Sequence, residues 1–305
     1  MRIASLIASA TEIVAALGLG DQLVGVSHEC DWPPEAVRGR AILTSPKMDV
    51  TRRSLDIHKD VQEIVAQGLS VYNIDVEKLK QAKPDILITQ DQCEVCAVTY
   101  DDVVKATQTC LASDAKIVTL HPDSLDDIFK DILKVGKALG VASKAEKLVQ
   151  KIRTKMDAVA QKTEKLKNKP RVVCLEWLNP LMVAGNWIPE MVAMAGGVNG
   201  ITKEGDHTKV VEWAELKNYD PDILILMPCG FKIAQTLENR SDLENLPGFQ
   251  NLKAVQNKKV FIVDGNTYMN RPGPRILESL HILAGFFYPE LFASKIPTNS
   301  MASFQ

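Results

Sequence analysis

One ten-residue pattern occurs twice in this chain and limits the folds open to it. Leu79-Lys80-x-x-x-Pro84-Asp85-Ile86-Leu87-Ile88 is matched by Leu216-Lys217-x-x-x-Pro221-Asp222-Ile223-Leu224-Ile225, with seven identities at the same spacing. Proline cannot continue a helix, and it pushes the residue before it towards extended backbone. The unbroken Ile-Leu-Ile that follows suits a strand buried on both faces, as in a parallel sheet. Each copy therefore predicts a helix end, a Pro-Asp turn and a buried strand. Between the copies lies the longest helix-compatible run of the sequence, Pro122 to Leu166. Leu125, Ile128, Phe129, Ile132, Leu133 and Val135 fall on one face of a first helix. Asp123, Asp126 and Asp127 occupy its first turns, where the helix dipole favours acid. Gly136 and Gly140 predict a break, and a second helix starts near Ser143 and carries Leu148, Ile152, Met156 and Val159.

On both sides of this run, predicted strands alternate with helices. Before it come strands in Arg2–Ile7, Leu23–Ser27, Ile86–Thr89 and Lys116–Leu120. Ser9-Ala-Thr-Glu12 has capping-box spacing and predicts a helix start, while Ser54–Gln67, Val76–Ala82 and Tyr100–Leu111 read as further helices. After the run, Arg171–Leu175, Asp222–Met227 and Lys259–Val263 read as strands, and Pro274–Phe287 as the closing helix. The fold class expected is α/β, with two Rossmann-like lobes, each built on a parallel sheet and joined by a long helix. The lobes are residues 1–121 and 170–305, with linking helices over 122–169. At 305 residues there is room for both.

Composition removes several function classes. Lys and Arg number 36 against 38 Asp and Glu, a formal net charge of −2, so nucleic acid is not an expected partner. Met1-Arg2 leads directly into IASLIASATEIVAALG, which lacks a basic leader and is interrupted by Glu12. This predicts a cytoplasmic protein, with a periplasmic location as the alternative if a leader precedes the start. Gly-x-Gly-x-x-Gly, Walker, nucleophile-elbow and His-Glu-x-x-His patterns are absent, so an enzyme is not expected.

The order lobe, helix, lobe resembles the helical-backbone (class III) ABC-transporter solute-binding proteins, which take up cobalamin, haem and ferric siderophores. IASLIASATEIVAALGLGDQLVGVS, EKLKQAKPDILI and the closing Asn270-Arg-Pro-Gly-Pro-Arg275 resemble the cobalamin-binding branch. The resemblance implies a monomeric binding protein with a cobalamin, haem or ferric-siderophore ligand in an interlobe cleft. It would work with an ABC permease or as an intracellular carrier, and require no cofactor. It also implies an acidic docking residue on each lobe. Glu77 matches that position in the first, and Glu212 or Glu215 in the second.

Residues just after parallel strands project into a crevice. Those expected to bind ligand are Ser9, His28, Trp32 and Gln92 from the first lobe. From the second they are Glu176, Trp177, Trp187, Phe231, Tyr268, Asn270 and Arg271. Trp32, Trp177 and Trp187 suit a large flat ring such as a corrin or porphyrin. Cys93-x-x-Cys96 leaves three readings open. With His28 and Cys30 it makes a set suited to zinc; alone it is a redox pair, or two reduced thiols at a helix start. A cytosolic metal- or thiol-dependent protein using Cys30, Cys93 and Cys96 is thus the rival function.

Overall fold

Both copies of the repeated motif end a helix and start a strand, and they do so with the same hydrogen bonds. The structure is a computed structural model, and it describes residues 1–67, 69–91, 103–104 and 115–304. The helix Val76–Ala82 closes at Lys83 (φ +40°), whose N–H returns to Leu79 O at 3.1 Å. The helix Trp213–Tyr219 closes at Asp220 (φ +45°), whose N–H returns to Leu216 O at 3.0 Å. One residue of left-handed backbone before the proline turns the chain out of each helix. The motif aspartate then ties the new strand to the first strand of its unit. Asp85 accepts from Arg2 N–H (2.7 Å) and donates its own N–H to Arg2 O (2.8 Å). Asp222 does the same with Arg171, at 2.9 and 2.8 Å. Asp222 is the more enclosed of the two. Asp222→Ala should therefore cost about 1.5–3 kcal/mol in urea unfolding, the usual range for a bond to a charged acceptor, and Asp85→Ala less.

The chain divides into two compact units. The first comprises Met1–Arg52, Asp56–Pro122 and Asp126–Gln150, and the second Arg53–Leu55, Asp123–Leu125 and Lys151–Gln305. In the first, strands β1 (Ile3–Ser5), β2 (Leu23–Val26), β3 (Ala41–Ile42), β6 (Ile86–Gln90) and β7 (Lys116–Leu120) form an all-parallel sheet ordered β3-β2-β1-β6-β7. Every residue of β6 is buried, as its apolar run predicts. A separate antiparallel pair, β4 (Thr44–Pro46) with β5 (Tyr72–Ile74), is not legible in the sequence, because each strand is only three residues long.

The second unit has a sheet ordered β11-β9-β8-β12-β13-β14, with β10 also on β8. Its strands are β8 (Arg171–Trp177), β9 (Met182–Val183), β10 (Val198–Asn199), β11 (Lys209–Val210), β12 (Ile223–Leu226), β13 (Val260–Val263) and β14 (Met301–Ser303). The pairs among β8, β12, β13 and β10 are parallel, while β9, β11 and β14 add antiparallel edges. The expected parallel sheet is thus the centre of a mixed one. The motif strands hold corresponding places. β6 lies between β1 and β7, and β12 between β8 and β13. Leu175, Leu224, Leu226, Phe249, Val260 and Ile262 are among the residues that fill one core layer of this unit.

Two helices run between the sheets in chain order, Leu125–Ala138 and Ala142–Glu164. Only one of the two glycines breaks them. Gly140 has φ +72° and gives its N–H to Lys137 O, while Val141 N–H reaches back to Gly136 O at 2.8 Å, a Schellman stop. Gly136 stays within the first helix, and its missing side chain lets the second pass close, since a Cβ there would sit 2.3 Å from Ala145 Cβ. The chain passes from the first unit to the second within the continuous 23-residue helix Ala142–Glu164. The capping-box reading of Ser9 is corrected. The helix starts two residues earlier, at Ala8, with Ile7 as an uncapped N-cap in place of Ser9, so Ser9 lies inside the first turn. The helix expected at Tyr100–Leu111 lies largely outside the described residues.

Candidate functional site

In the first unit the residues after the parallel strands are mostly committed to one another. Ser9 is 2% exposed, and its Oγ has no hydrogen-bond partner among the described residues. Thr11 Oγ1 lies 2.8 Å from Ser5 Oγ and 3.1 Å from the Cys30 sulfur, and Cys30 is buried. His28 is held by Thr44. Its Nδ1 lies 2.7 Å from Thr44 Oγ1, its backbone N–H donates to the same oxygen at 3.1 Å, and its ring leans on Tyr72. Nε2 of His28 is 3.3 Å from Glu29 Oε1. Trp32, by contrast, is 45% exposed. At the ends of β6 and β7, His121 Nδ1 pairs with Asp91 at 2.7 Å, and His121 N–H donates to Asp131 at 2.9 Å. Burial pushes the Asp131 carboxyl up to about 6, against the lowering effect of that hydrogen bond.

In the second unit the ends of β8, β12 and β13 form one edge. Met227 N–H bonds Leu175 O, and Cys229 N–H bonds Glu176 O at 3.0 Å, so the segment after β12 lies directly beside the end of β8. Glu176 keeps some accessible surface, yet burial is the dominant influence on its carboxyl and pushes it up; the Thr208 hydroxyl, donating at 2.6 Å, opposes the shift. Beside it, the Trp177 ring meets Phe231 at 5.0 Å and 59°. The Trp177 Nε1–H is spent on two backbone carbonyls, Ser54 O at 3.2 Å and Asn179 O at 3.1 Å. Ser54 itself is anchored by Asn239 and Asp242 through its N–H (2.9 Å) and hydroxyl (2.5 Å), and the Arg53 guanidinium also pairs with Asp242. After β13, Asn270 uses its amide nitrogen on Met227 O (3.2 Å) and Gly265 O (3.1 Å). Arg275 donates to Thr267 O and lies over the Tyr268 ring at 5.5 Å.

The structure sorts the residues expected to bind ligand. Glu176, Trp177, Tyr268 and Asn270 are partly exposed at this one edge. Trp187, Phe231 and Arg271 are buried, at 6%, 2% and 3% exposure. Trp187 bonds Met269 O through Nε1 at 3.2 Å and acts within the unit as a strut. Gln92, Cys93 and Cys96 lie outside the described residues, and with them the zinc set of His28, Cys30, Cys93 and Cys96. Among the described residues no group of three or more His, Cys, Asp or Glu could hold a metal ion. Glu77 is exposed and pairs with Lys80; Glu215 pairs with Lys209 at 2.7 Å, and Glu212 stands exposed at the start of the helix Trp213–Tyr219. Sequence reasoning missed Ser54, Asn179 and Thr208. Each acts through a backbone carbonyl or a lone hydroxyl, Ser54 at the first residue of a helix and the other two in irregular segments, and no periodic pattern marks such a contact.

A model of the periplasmic binding protein family matches residues 3–267. The chain belongs to this family. Its relatives agree along most of their length. A Bacillus subtilis protein described as an uncharacterized ABC transporter substrate-binding lipoprotein is 26% identical over 300 residues, 95% of this chain and 81% of that one. The vitamin B12-binding protein of Vibrio cholerae is 24% identical over 92% of this chain and 86% of its own. Among solved structures, S. aureus IsdE complexed with heme superposes with a TM-score of 0.72 at 18% identity, covering 94% of this chain and 98% of that one. The periplasmic vitamin B12-binding protein BtuF of Vibrio cholerae gives 0.66 at 20%, over 95% and 97%. These likenesses confirm the expected two-sheet α/β fold of the class.

A periplasmic binding protein binds and is not an enzyme, so the rival metal- or thiol-dependent reading finds no support in the family. The cytoplasmic location expected from the sequence is corrected as well. The family is one of periplasmic binding proteins, and the B. subtilis relative is a lipoprotein. That expectation rested on what the residues at Met1 lack, and they carry no information about any segment upstream. Cys174 offers no reactive thiol either, since burial first and the Glu176 charge second push it up to about 12.

Proposed function

We propose that this protein is the solute-binding component of an ABC importer, and that it holds a bulky metal-bearing ring ligand of the cobalamin or haem class. The observation that carries the reading is the Trp177–Phe231 aromatic pair beside the half-buried Glu176, at the carboxyl edge of a parallel sheet core. With its N–H already used, Trp177 offers a ligand its ring alone, which suits an apolar macrocycle. Relatives described as vitamin B12-binding and heme-bound support the same class. Ser9, His28, Trp32, Gln92, Tyr268, Asn270 and Arg271 are proposed as further parts of the ligand site. Glu77 with Glu212 or Glu215 is proposed to meet the permease.

Trp177→Ala removes the indole face and should weaken binding of cyanocobalamin or hemin about ten- to a hundredfold, corresponding to about 1.5–3 kcal/mol of buried ring surface. Fluorescence quenching titrations of wild type and variant at equal salt measure it. Unchanged affinity in Trp177→Ala would remove Trp177 from the site.

A further inference from the structure

The helix Ala8–Ala16 of the first unit begins with buried donors that have no acceptor. Its first bond runs from Thr11 N–H to Ile7 O at 3.3 Å, so the N–H groups of Ala8, Ser9 and Ala10 face out of the helix end. Among the described residues none of these N–H groups has a hydrogen-bond partner, and all three residues are buried. The Ser9 side chain leans towards the same end, as helical side chains do, and its hydroxyl is unpartnered at 2% exposure. The carbonyl at this point, Ile7 O, already accepts from Ser5 Oγ at 2.9 Å as well as from Thr11. A second element brings another donor. Ser5 of β1 pairs with Ile88 of β6, so the two share a face of the sheet, and Gln90 falls on that face by alternation. It is the face that carries the helix, since Thr11 Oγ1 lies 2.8 Å from Ser5 Oγ. Gln90 stands two residues past Ile88, as Ile7 stands two past Ser5, which aims its side chain at the helix start. Gln90 is 3% exposed, and its amide nitrogen is unpartnered.

We propose that this helix start is an anion subsite. It takes a singly charged carboxylate or phosphate group on the N–H groups of Ala8, Ser9 and Ala10, with Ser9 Oγ and Gln90 Nε2 closing round it. The proposal goes beyond the ring-ligand reading and does not need it, because every group lies in the first unit. Buried polar groups are nearly always paired, and each one left unmet costs free energy. A single carboxylate or phosphate brings several acceptor sites to one point and so answers several donors at once. The positive end of the helix dipole favours the charge. The acids nearby limit it. Asp91 and Glu29 already face His121 at 2.7 Å and His28 at 3.3 Å, while Glu12 is buried about one turn further along the helix. Glu12 opposes added negative charge, which favours a monoanion over a dianion.

Inorganic phosphate is the probe, titrated into the full chain at about pH 6, where it is mostly singly charged, with sodium chloride holding the ionic strength constant. Calorimetry and the melting temperature are read together. Wild type should bind one phosphate with a Kd of about 1 mM or tighter. The binding should persist when the chloride is raised severalfold, because buried contacts are screened less than surface ones. Ser9→Ala deletes an unmet hydroxyl, so without phosphate it should be at least as stable as wild type, yet bind phosphate about tenfold more weakly. Gln90→Leu should weaken phosphate binding to a similar degree. Lys217→Gln, exposed on the second unit, should leave it as in wild type. Competition between phosphate and hemin or cyanocobalamin would make the group an arm of the ring ligand, and independent binding would make it a separate ion; the subsite stands in both cases. No phosphate binding by wild type, as when ordered water alone meets the donors, overturns the inference. Equal binding by wild type, Ser9→Ala and Gln90→Leu overturns it too. Neither result bears on the ring-ligand reading, which titration of the ring itself decides.

Discussion

Trp187→Ala is expected to destabilise the second unit by about 3–5 kcal/mol, the range for emptying a buried aromatic site. The residue was expected on sequence grounds to face ligand, but it is 6% exposed and its indole N–H is satisfied by Met269 O. The chain around it is built to turn it inward. A Cβ on Gly185 would lie 2.1 Å from Asp206 O, and Asn186 follows at φ +51° with its N–H on the same oxygen at 2.6 Å. Trp187 then starts the helix Ile188–Met194, whose Ile188, Met191 and Val192 are buried with it. Removing the indole leaves a cavity and strips Met269 O of its donor, so the transfer and hydrogen-bond losses add. Urea unfolding followed by far-UV circular dichroism measures the loss. A variant within about 1 kcal/mol of wild type would mean that Trp187 is a replaceable surface residue.

The second large effect is on pH dependence. Asp131 is 6% exposed, and burial holds its carboxyl at about 6 in the fold, above the ordinary 3.8. The sign follows from linkage. Below about 3.8 the group is neutral in both states and contributes no penalty. Between about 3.8 and 6 the unfolded chain ionises first, so stability falls as pH rises, and above 6 the penalty is constant. A carboxyl raised from 3.8 to about 6 carries a penalty of about 3 kcal/mol once ionised. Asp131→Asn can still accept the His121 N–H and carries no charge. It should therefore raise stability at pH 7 by up to about 3 kcal/mol and leave it nearly unchanged at pH 3.5. A variant less stable than wild type at pH 7 would show that the ionised carboxylate is needed for its bonds.

The doubled fold was legible because it is written in local chemistry. Pro84-Asp85 and Pro221-Asp222 carry the turn, the strand start and the aspartate clamp within a few residues, so matching letters gave matching bonds. The antiparallel edges were not legible. β11 is two residues long, and β14 is held by its partner β13 more than by any pattern of its own. At the candidate site, placement after a strand picked out Glu176 and Trp177, which the structure makes the last two residues of β8. The same rule could not tell Trp177 from Trp187, since exposure depends on what packs from elsewhere in the chain. Thr208 and Ser54 were invisible for a related reason. Their contribution is a single hydrogen bond made across 32 and 123 residues of sequence.

Equilibrium titration of the wild-type protein decides whether it binds a metal-bearing ring. Cyanocobalamin and hemin are each titrated into the purified chain at pH 7 and moderate salt, with visible absorbance and tryptophan fluorescence read together. One-to-one binding of at least one of them is expected, with a Kd of about 1 μM or tighter, about −8 kcal/mol. Absence of binding of either at about 100 μM would contradict it.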